Sequence, residues 1–191
     1  MITLPRFDDL RSLNSRLLVH PNGWIQLNLD ELHRLHVWPD KPITKRKVDT
    51  PIHDHIFDFE SKIFLGTIQN IMCDFVEDSN GDYHLYQVSP YKLAKKEMPL
   101  ELINNQRYRC VEKETALYSA GQTYHMKRKD FHESEHEGLA LTIIEFGYID
   151  TSALARIACP YQKQPDSEFR RDTMDQEVLW NIVRDAYQAI R

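Results

Sequence analysis

Apolar and polar residues alternate with period two along much of the chain between residues 22 and 150, which is the pattern of half-buried β-strands. Asn80-Gly81, between two such segments, is a strong β-hairpin signal. Residues 89–105 hold two prolines and mixed charge, so they are predicted to form a loop. The predicted strands are 24–29, 35–38, 63–76, 83–88, 107–113, 115–119, 123–126 and 139–147. This pattern predicts an all-β core.

Helical spacing of apolar residues is found only toward the two ends of the sequence. Leucines at helical intervals over residues 7–18 predict a short amphipathic helix that begins at Asp8 and Asp9, where a helix dipole favours acidic residues. A second helix is predicted over about 173–190, after a polar linker. Its apolar face is formed by Val178, Leu179, Ile182, Val183, Ala186, Tyr187 and Ile190. This face either docks on the barrel or serves dimerisation.

Composition narrows the protein class without identifying a reaction. The chain has 191 residues and fits one domain over 1–191, with a barrel core over about 22–150. A net charge of −5 argues against nucleic acid as a partner, despite one short basic run at 41–47. No apolar stretch is long enough to span a bilayer. Three cysteines without CxxC spacing, and no signal-like N-terminus, predict a cytoplasmic protein.

Candidate metal chemistry lies in the sequence His53-Asp-His55-Ile-Phe-Asp-Phe-Glu60. Histidines at i and i+2 of a strand point to the same side, so His53 and His55 can bind one ion together. A bend in the strand would allow Glu60 to join them. Histidines that bind no metal and instead form hydrogen bonds across a sheet are the alternative. A third imidazole is available downstream at His132, with His125 as its competitor.

These residues resemble the two motifs of the cupin superfamily. The first motif is His-x-His, four residues, Glu, about six residues, Gly, and this chain has His53, His55, Glu60 and Gly66 with five residues before the glycine. Phe57-Asp58-Phe59-Glu60-Ser61 is similar to a variant in which histidines hold the metal and the Glu position varies.

The segment from Gly121 to His132 is similar to the second cupin motif, but it lacks that motif's usual proline and glycine. His132 falls at the ligand position. His125 lies between Tyr124 and Met126, the two positions expected to point inward, so its side chain is expected to point outward.

The resemblance implies a double-stranded β-helix, the cupin jelly roll, with a metal inside the barrel. The expected ligands are His53, His55 and His132, with Glu60 as a fourth. The expected metal is Fe(II), while Ni, Mn, Zn and Cu suit the same ligands. The expected catalytic residues are Asp58, as a carboxylate near the ligands, and Tyr124, as a cavity tyrosine whose alternative is a core residue with its hydroxyl at the rim.

The implied function is a metal-dependent dioxygenase or other oxidoreductase acting on a small polar molecule. Two alternatives stay open. One is a non-catalytic cupin that binds a metal or a ligand. The other is a metal-free epimerase or isomerase of the RmlC-like type, with a histidine base and a tyrosine acid. A homodimer is the expected assembly, and no membrane partner is expected.

Overall fold

A curled antiparallel sheet of ten strands, flanked by a short N-terminal helix and a C-terminal helix, forms the described part of the computed structural model. The structure describes residues 2–13, 15–20, 22–41, 43, 51–88, 100–163 and 174–190. Every strand pairing among them is antiparallel. The predicted fold class is therefore confirmed, and the architecture is consistent with a cupin-like jelly roll. In chain order the elements are α1 (Phe7–Ser12), β1 (Leu18–Val19), β2 (Ile25–Asn28), β3 (His33–Trp38), β4 (Phe57–Glu77), β5 (Tyr83–Val88), β6 (Leu100–Leu102), β7 (Tyr108–Ser119), β8 (Thr123–Met126), β9 (Phe131–Ile149), β10 (Ala155–Pro160) and α2 (Gln176–Ala189).

Two long strands organise the sheet. β4 has 21 residues and β9 has 19, whereas strands usually have about 5–6. They pair with each other from Phe57 opposite Ile149 to Cys73 opposite Phe131, with register shifts along the way. The strand order is β1-β2-β3-β9-β4-β7-β5-β10, with β6 on β5 and β8 on β4. This arrangement places β9 between β3 and the long strand β4.

Strands β2 and β3 are buried on both faces. Ile25 and Val37 point to one face, where they pack in a core that includes Leu179 and Val183 of α2. Trp24 and Trp38 point to the other face and belong to a second cluster. The other members of that second cluster include Phe59, Ile63, Ile68, Tyr124, Met126, Ala140 and Ile144.

Specific polar contacts fix the C-terminal helix α2. The Asp175 carboxylate accepts a hydrogen bond from Glu177 N at 2.8 Å, which satisfies a backbone donor at the helix start. The Gln176 side chain donates to Leu17 O at 3.0 Å and accepts from Leu17 N at 2.9 Å. Leu179 is completely buried. Among the described residues, neither helix has the length and apolar character needed to cross a bilayer.

The predicted hairpin between β4 and β5 is wrong in its pairing, although its turn is present. Gly81 N donates to Asp78 O at 2.8 Å, so a turn is present at Asn80-Gly81, but β4 and β5 are both antiparallel to β7 and therefore do not run in opposite directions. However, β7 lies between β4 and β5, and β5 pairs mainly with β10. The start of β7 also packs on the turn, since Asp78 N donates to Arg107 O at 3.0 Å.

Other sequence predictions hold in part. The N-terminal helix ends at Ser12 rather than near residue 18. Strand β9 begins at Phe131, eight residues before the predicted start, and β10 was not predicted. The loop predicted at 89–105 contains the short strand β6, while its residues 89–99 lie outside the described part. Most of the basic run at 41–47 and most of the linker before α2 also lie outside it.

Candidate metal centre

The His53–His55 segment is held between β9 and β10 by backbone hydrogen bonds. His53 N donates to His132 O at 3.0 Å, and His132 N donates to His53 O at 2.9 Å. On the other side, Asp54 N donates to Arg156 O at 2.9 Å. The backbones of two histidines that lie far apart in sequence are thus paired directly, which brings their side chains to one place.

Three imidazoles converge at this point. His55 Nε2 lies 3.1 Å from His132 Nε2, and one ring nitrogen from each of His53, His55 and His132 lies within 4.8 Å of the others. Ligands bound at right angles or tetrahedrally to one ion at about 2.0–2.1 Å lie roughly 2.8–3.4 Å apart. The His55–His132 pair already has this spacing, and a His53 ring nitrogen lies within 4.8 Å of both.

Hydrogen bonds at Nδ1 leave Nε2 available on two of the rings. His53 Nδ1 lies 2.8 Å from Pro51 O, which can only accept, so this nitrogen carries the proton. His132 Nδ1 lies 3.4 Å from Ser134 Oγ, and Ser134 Oγ donates to Asn70 Oδ1 at 2.6 Å. Partners of this kind fix the tautomer of metal-binding histidines. The three side chains therefore fit a divalent transition-metal ion.

Burial favours the neutral form of His55 and of His132. It lowers the pKa of His55 well below its usual value, and positive charge on His53 and His132 would lower it further. Burial also lowers the pKa of His132 well below the usual value, with His53 as a second cause. Neutral imidazole is the form that binds metal.

Asp54 points away from the three imidazoles and joins the ligand segment to β10. Its Oδ2 accepts from Arg156 Nε at 2.6 Å, and Asp54 is almost completely buried. Burial raises the pKa of Asp54, against the opposing effect of the Arg156 charge. Arg156 also donates to Lys129 O at 3.2 Å, in the turn that precedes β9. The ion pair therefore fixes the backbone around two of the three histidines.

The structure does not bring Glu60 or His125 to the three imidazoles. Phe57 and Phe59 contact His55, and Glu60 alternates with them, so it points to the opposite face of β4. There its carboxylate lies 3.6 Å from Nδ1 of His125, whose side chain is 74% exposed. Glu60 and His125 thus form a surface pair.

Asp58 also lies away from the imidazoles. Its Oδ1 accepts from Arg128 N at 2.8 Å, and its Oδ2 lies 3.8 Å from Arg128 Nη1. Asp58 alternates with Phe57 and Phe59, which is why it points outward. Its role in the structure is to hold the turn between β8 and β9.

Tyr124 is buried and lines a cavity of about 500 Å³ that also contains the three imidazoles. Burial raises its pKa, with smaller opposing effects from Ser61 and Asn70. Asn70 Oδ1 accepts a hydrogen bond from Ser134 Oγ at 2.6 Å, and Ser134 Oγ lies 3.4 Å from His132 Nδ1.

The sequence analysis missed most of the cavity wall formed by β2 and β3. Its residues, on β2, on β3 and just before β2, are His20, Trp24, Gln26, Arg34, His36 and Trp38. The signal was present in the alternation: positions 25, 27, 35 and 37 are apolar and face the helices, while the opposite parity carries large aromatic and polar residues. A strand with aromatic residues on its second face is buried on that face too.

Comparisons with known proteins add a general likeness in fold. No protein-family model and no curated protein matches this chain. It is similar to hydroquinone 1,2-dioxygenase from Sphingomonas sp. TTNP3 with 4-hydroxybenzoate bound, at 10% identity and a TM-score of 0.31, over 69% of this chain and 66% of that chain. The chain therefore spans slightly less than two thirds of that dioxygenase chain.

Two further solved structures are similar to this chain. One is hydroquinone 1,2-dioxygenase PnpCD in complex with Cd²⁺ and 4-hydroxybenzonitrile, at 9% identity and a TM-score of 0.35, over 78% of each chain. The other is Drosophila melanogaster CENP-C bound to CAL1, at 8% identity and a TM-score of 0.34, over 73% of this chain and 91% of that chain. The functional argument for this chain therefore rests on its own site.

Proposed function

We propose that this protein is a metal-dependent enzyme of the cupin type, and that it is an oxidoreductase of the dioxygenase class. The convergence of His53, His55 and His132 at the wall of a cavity carries the proposal. Fe(II) is the metal we expect. Held by these three imidazoles, an iron ion would supply redox chemistry toward O2.

The residues of the chain have separate tasks in this proposal. His53, His55 and His132 hold the ion through neutral imidazole nitrogens. Asp54 and Arg156 keep the ligand segment in place on β10. Tyr124 lines the cavity with its hydroxyl protonated at neutral pH, because burial raises its pKa. It is therefore suited to donate a hydrogen bond to a bound substrate.

Metal content is the direct test. Protein purified without a His tag is analysed by elemental mass spectrometry, before and after anaerobic addition of Fe(II). We expect about one metal ion per chain, and loss of this ion in His53→Ala and His132→Ala. His125→Ala and Glu60→Gln are matched controls that change a histidine and a carboxylate outside the cluster, and they should keep the metal.

Because His132 is buried, its replacement can also disturb the fold, so far-UV circular dichroism is recorded for each variant. A folded His53→Ala protein that keeps stoichiometric metal would refute the proposed site. Absence of metal after Fe(II) addition would refute the oxygenase and favour a metal-free isomerase in which Tyr124 acts as the acid. Oxygen uptake by the iron-loaded protein then tests turnover. Cytoplasmic location, a homodimeric assembly and the absence of nucleic-acid or membrane partners stay predictions.

A further inference from the structure

Lys129, in the turn between β8 and β9, has a left-handed backbone conformation. Its φ is 68°, and among the described residues it is the one residue with positive φ that is not glycine. A left-handed conformation brings the Cβ of an L-residue close to the following carbonyl oxygen, so residues other than glycine adopt it seldom. It persists only where surrounding contacts hold it, and it is found most often at functional sites.

Both backbone polar groups of Lys129 contact the ligand segment or its partner strand. The Lys129 N–H donates to His55 O at 2.9 Å, and the Lys129 carbonyl oxygen accepts from Arg156 Nη2 at 3.2 Å. Arg156 Nε in turn donates to the carboxylate of Asp54 at 2.6 Å. Because φ and ψ of one residue set the relative directions of its N–H and C=O groups, a change to negative φ would break at least one of the two contacts.

The same turn leads into the strand that carries the third imidazole. β9 begins at Phe131, two residues after Lys129, and His132 is its second residue. The Phe131 ring centroid lies 4.5 Å from the guanidinium carbon of Arg156, so the arginine that binds the Lys129 carbonyl also packs on the start of β9. Lys129 therefore joins the segment 53–55 to the beginning of the strand of His132.

The lysine side chain takes no part in these contacts. It is 59% exposed, and its Nζ lies 3.8 Å from Asp150 Oδ2. An exposed ion pair of this kind contributes little to stability. The backbone of Lys129, and not its ammonium group, is thus the part that contacts the ligand segment.

We infer that Lys129 is a positioning residue of the metal centre. Its left-handed backbone holds the segment 53–55 against the start of β9, and so sets the position of His55 relative to His132. The inference rests on the proposed function, since it assigns a role toward the metal that this function requires. A turn that is left-handed only part of the time leaves the ligands correctly placed for that part of the time, and the apparent metal affinity falls by the same factor.

Two substitutions that both remove the lysine charge separate the backbone from the side chain. Asparagine adopts the left-handed conformation more readily than most residues, whereas β-branched valine is a genuine outlier there. We therefore compare Lys129→Asn with Lys129→Val, and add Lys129→Gly, which removes the steric cost. Lys127→Asn and Lys127→Val are the matched controls, because Lys127 is an exposed lysine of the same turn without positive φ.

Co(II) is titrated into chelator-treated protein, and its visible absorption gives both the dissociation constant and a signature of the ligand geometry. We expect Lys129→Asn and Lys129→Gly to bind Co(II) within about twofold of the unmutated protein, because both residues tolerate positive φ. Lys129→Val should bind at least about tenfold more weakly and shift the absorption, because less than about a tenth of its turns are left-handed. The Lys127 variants should not differ from the unmutated protein.

Hydrogen exchange of the amide at position 129 adds a readout without metal. Since this amide donates to His55 O, it should exchange faster in metal-free Lys129→Val than in metal-free Lys129→Asn. Circular dichroism checks the fold of each variant. If Lys129→Val does not fold, Lys129→Ala takes its place, because alanine also disfavours the left-handed conformation.

Lys129→Val with the Co(II) affinity of the unmutated protein, or equal weakening in Lys129→Asn and Lys129→Val, would overturn the inference. Lower resistance of Lys129→Val to urea with unchanged Co(II) affinity would also overturn it, because the role of the turn would then be structural only. Absence of Co(II) and Fe(II) uptake by the unmutated protein would instead reject the proposed function, and this inference with it. Uptake without a difference between the variants rejects the inference alone.

Discussion

Replacing Gly66 with alanine should destabilise the protein far more than the same change at Gly121. Both glycines have positive φ, 74° at Gly66 and 89° at Gly121, so each alanine incurs a similar backbone strain. They differ in their surroundings. A Cβ at Gly66 would lie 2.5 Å from Leu139 O and 2.8 Å from Ala140 Cβ, whereas a Cβ at Gly121 meets nothing within 4 Å.

The expected magnitudes follow from these contacts. A left-handed alanine costs about 1–2 kcal/mol, and about 0.4–1 kcal/mol is recovered because alanine restricts the unfolded chain. Gly121→Ala should therefore lose about 1 kcal/mol. At Gly66 the contacts are with the backbone and Cβ of β9, where Ala140 is completely buried and cannot move aside. Overpacking adds about 1–3 kcal/mol, so the total loss should be about 2–4 kcal/mol.

Urea denaturation followed by circular dichroism measures both variants. With a slope of about 2 kcal/mol per M, the Gly66→Ala midpoint should fall by roughly 1–2 M and the Gly121→Ala midpoint by about 0.5 M. Equal losses would show that strain at positive φ, and not the close approach of β9, determines the cost. A Gly66→Ala protein as stable as the original would refute the packing between β4 and β9 at this point.

Three further predictions concern other parts of the molecule. Leu179→Ala should lower the free energy of unfolding by about 2.5–5 kcal/mol, because the buried Leu179 side chain packs α2 against the sheet. Val178 is exposed, so Val178→Ala should change the free energy of unfolding by less than about 0.5 kcal/mol. Urea denaturation measures both variants. The metal-free protein should lose stability as the pH falls below about 6.5, because His55 and His132 take up protons in the unfolded chain but not in the folded one. The free energy of unfolding should fall by up to about 2.7 kcal/mol per pH unit. The same measurement on His132→Gln removes the contribution of His132 and leaves that of His55. Burial raises the pKa of Cys73 to about 12, so in the native protein at pH 8 this thiol should react with Ellman's reagent at least about tenfold more slowly than an ordinary thiol of pKa about 8.5, and a normal rate would refute its burial.

Local chemistry predicted the strands and part of the site. Period-two alternation places His53 and His55 on one side, and the motif spacing correctly picks His132 over His125 as the residue that lies beside them. The same alternation argues against Glu60, since it has the opposite parity to both histidines. A bend in the strand was needed to bring Glu60 to the cluster, and β4 instead continues with Glu60 on its outer face.

Long-range pairing could not be predicted from local patterns. The Asn80-Gly81 pair locates a turn, but it does not indicate that β7 lies between the two strands the turn connects. β10 is short, ends at Pro160 and becomes recognisable as a strand only through its pairing with β5 and its contacts with the His53 segment. The cavity was missed because its wall forms only when the second face of β2 and β3 is also covered.

The pairing of His53 with His132 also governs when the centre can form as the chain is made. Because protein synthesis proceeds from the N-terminus, His53 and His55 are made first, and His132 is not added until 77 residues after His55. Until β9 emerges, β4 lacks its longest partner and exposes an edge that is prone to aggregation. We therefore expect metal uptake to come late in biosynthesis, and nascent chains stalled before residue 131 to hold no stable metal centre.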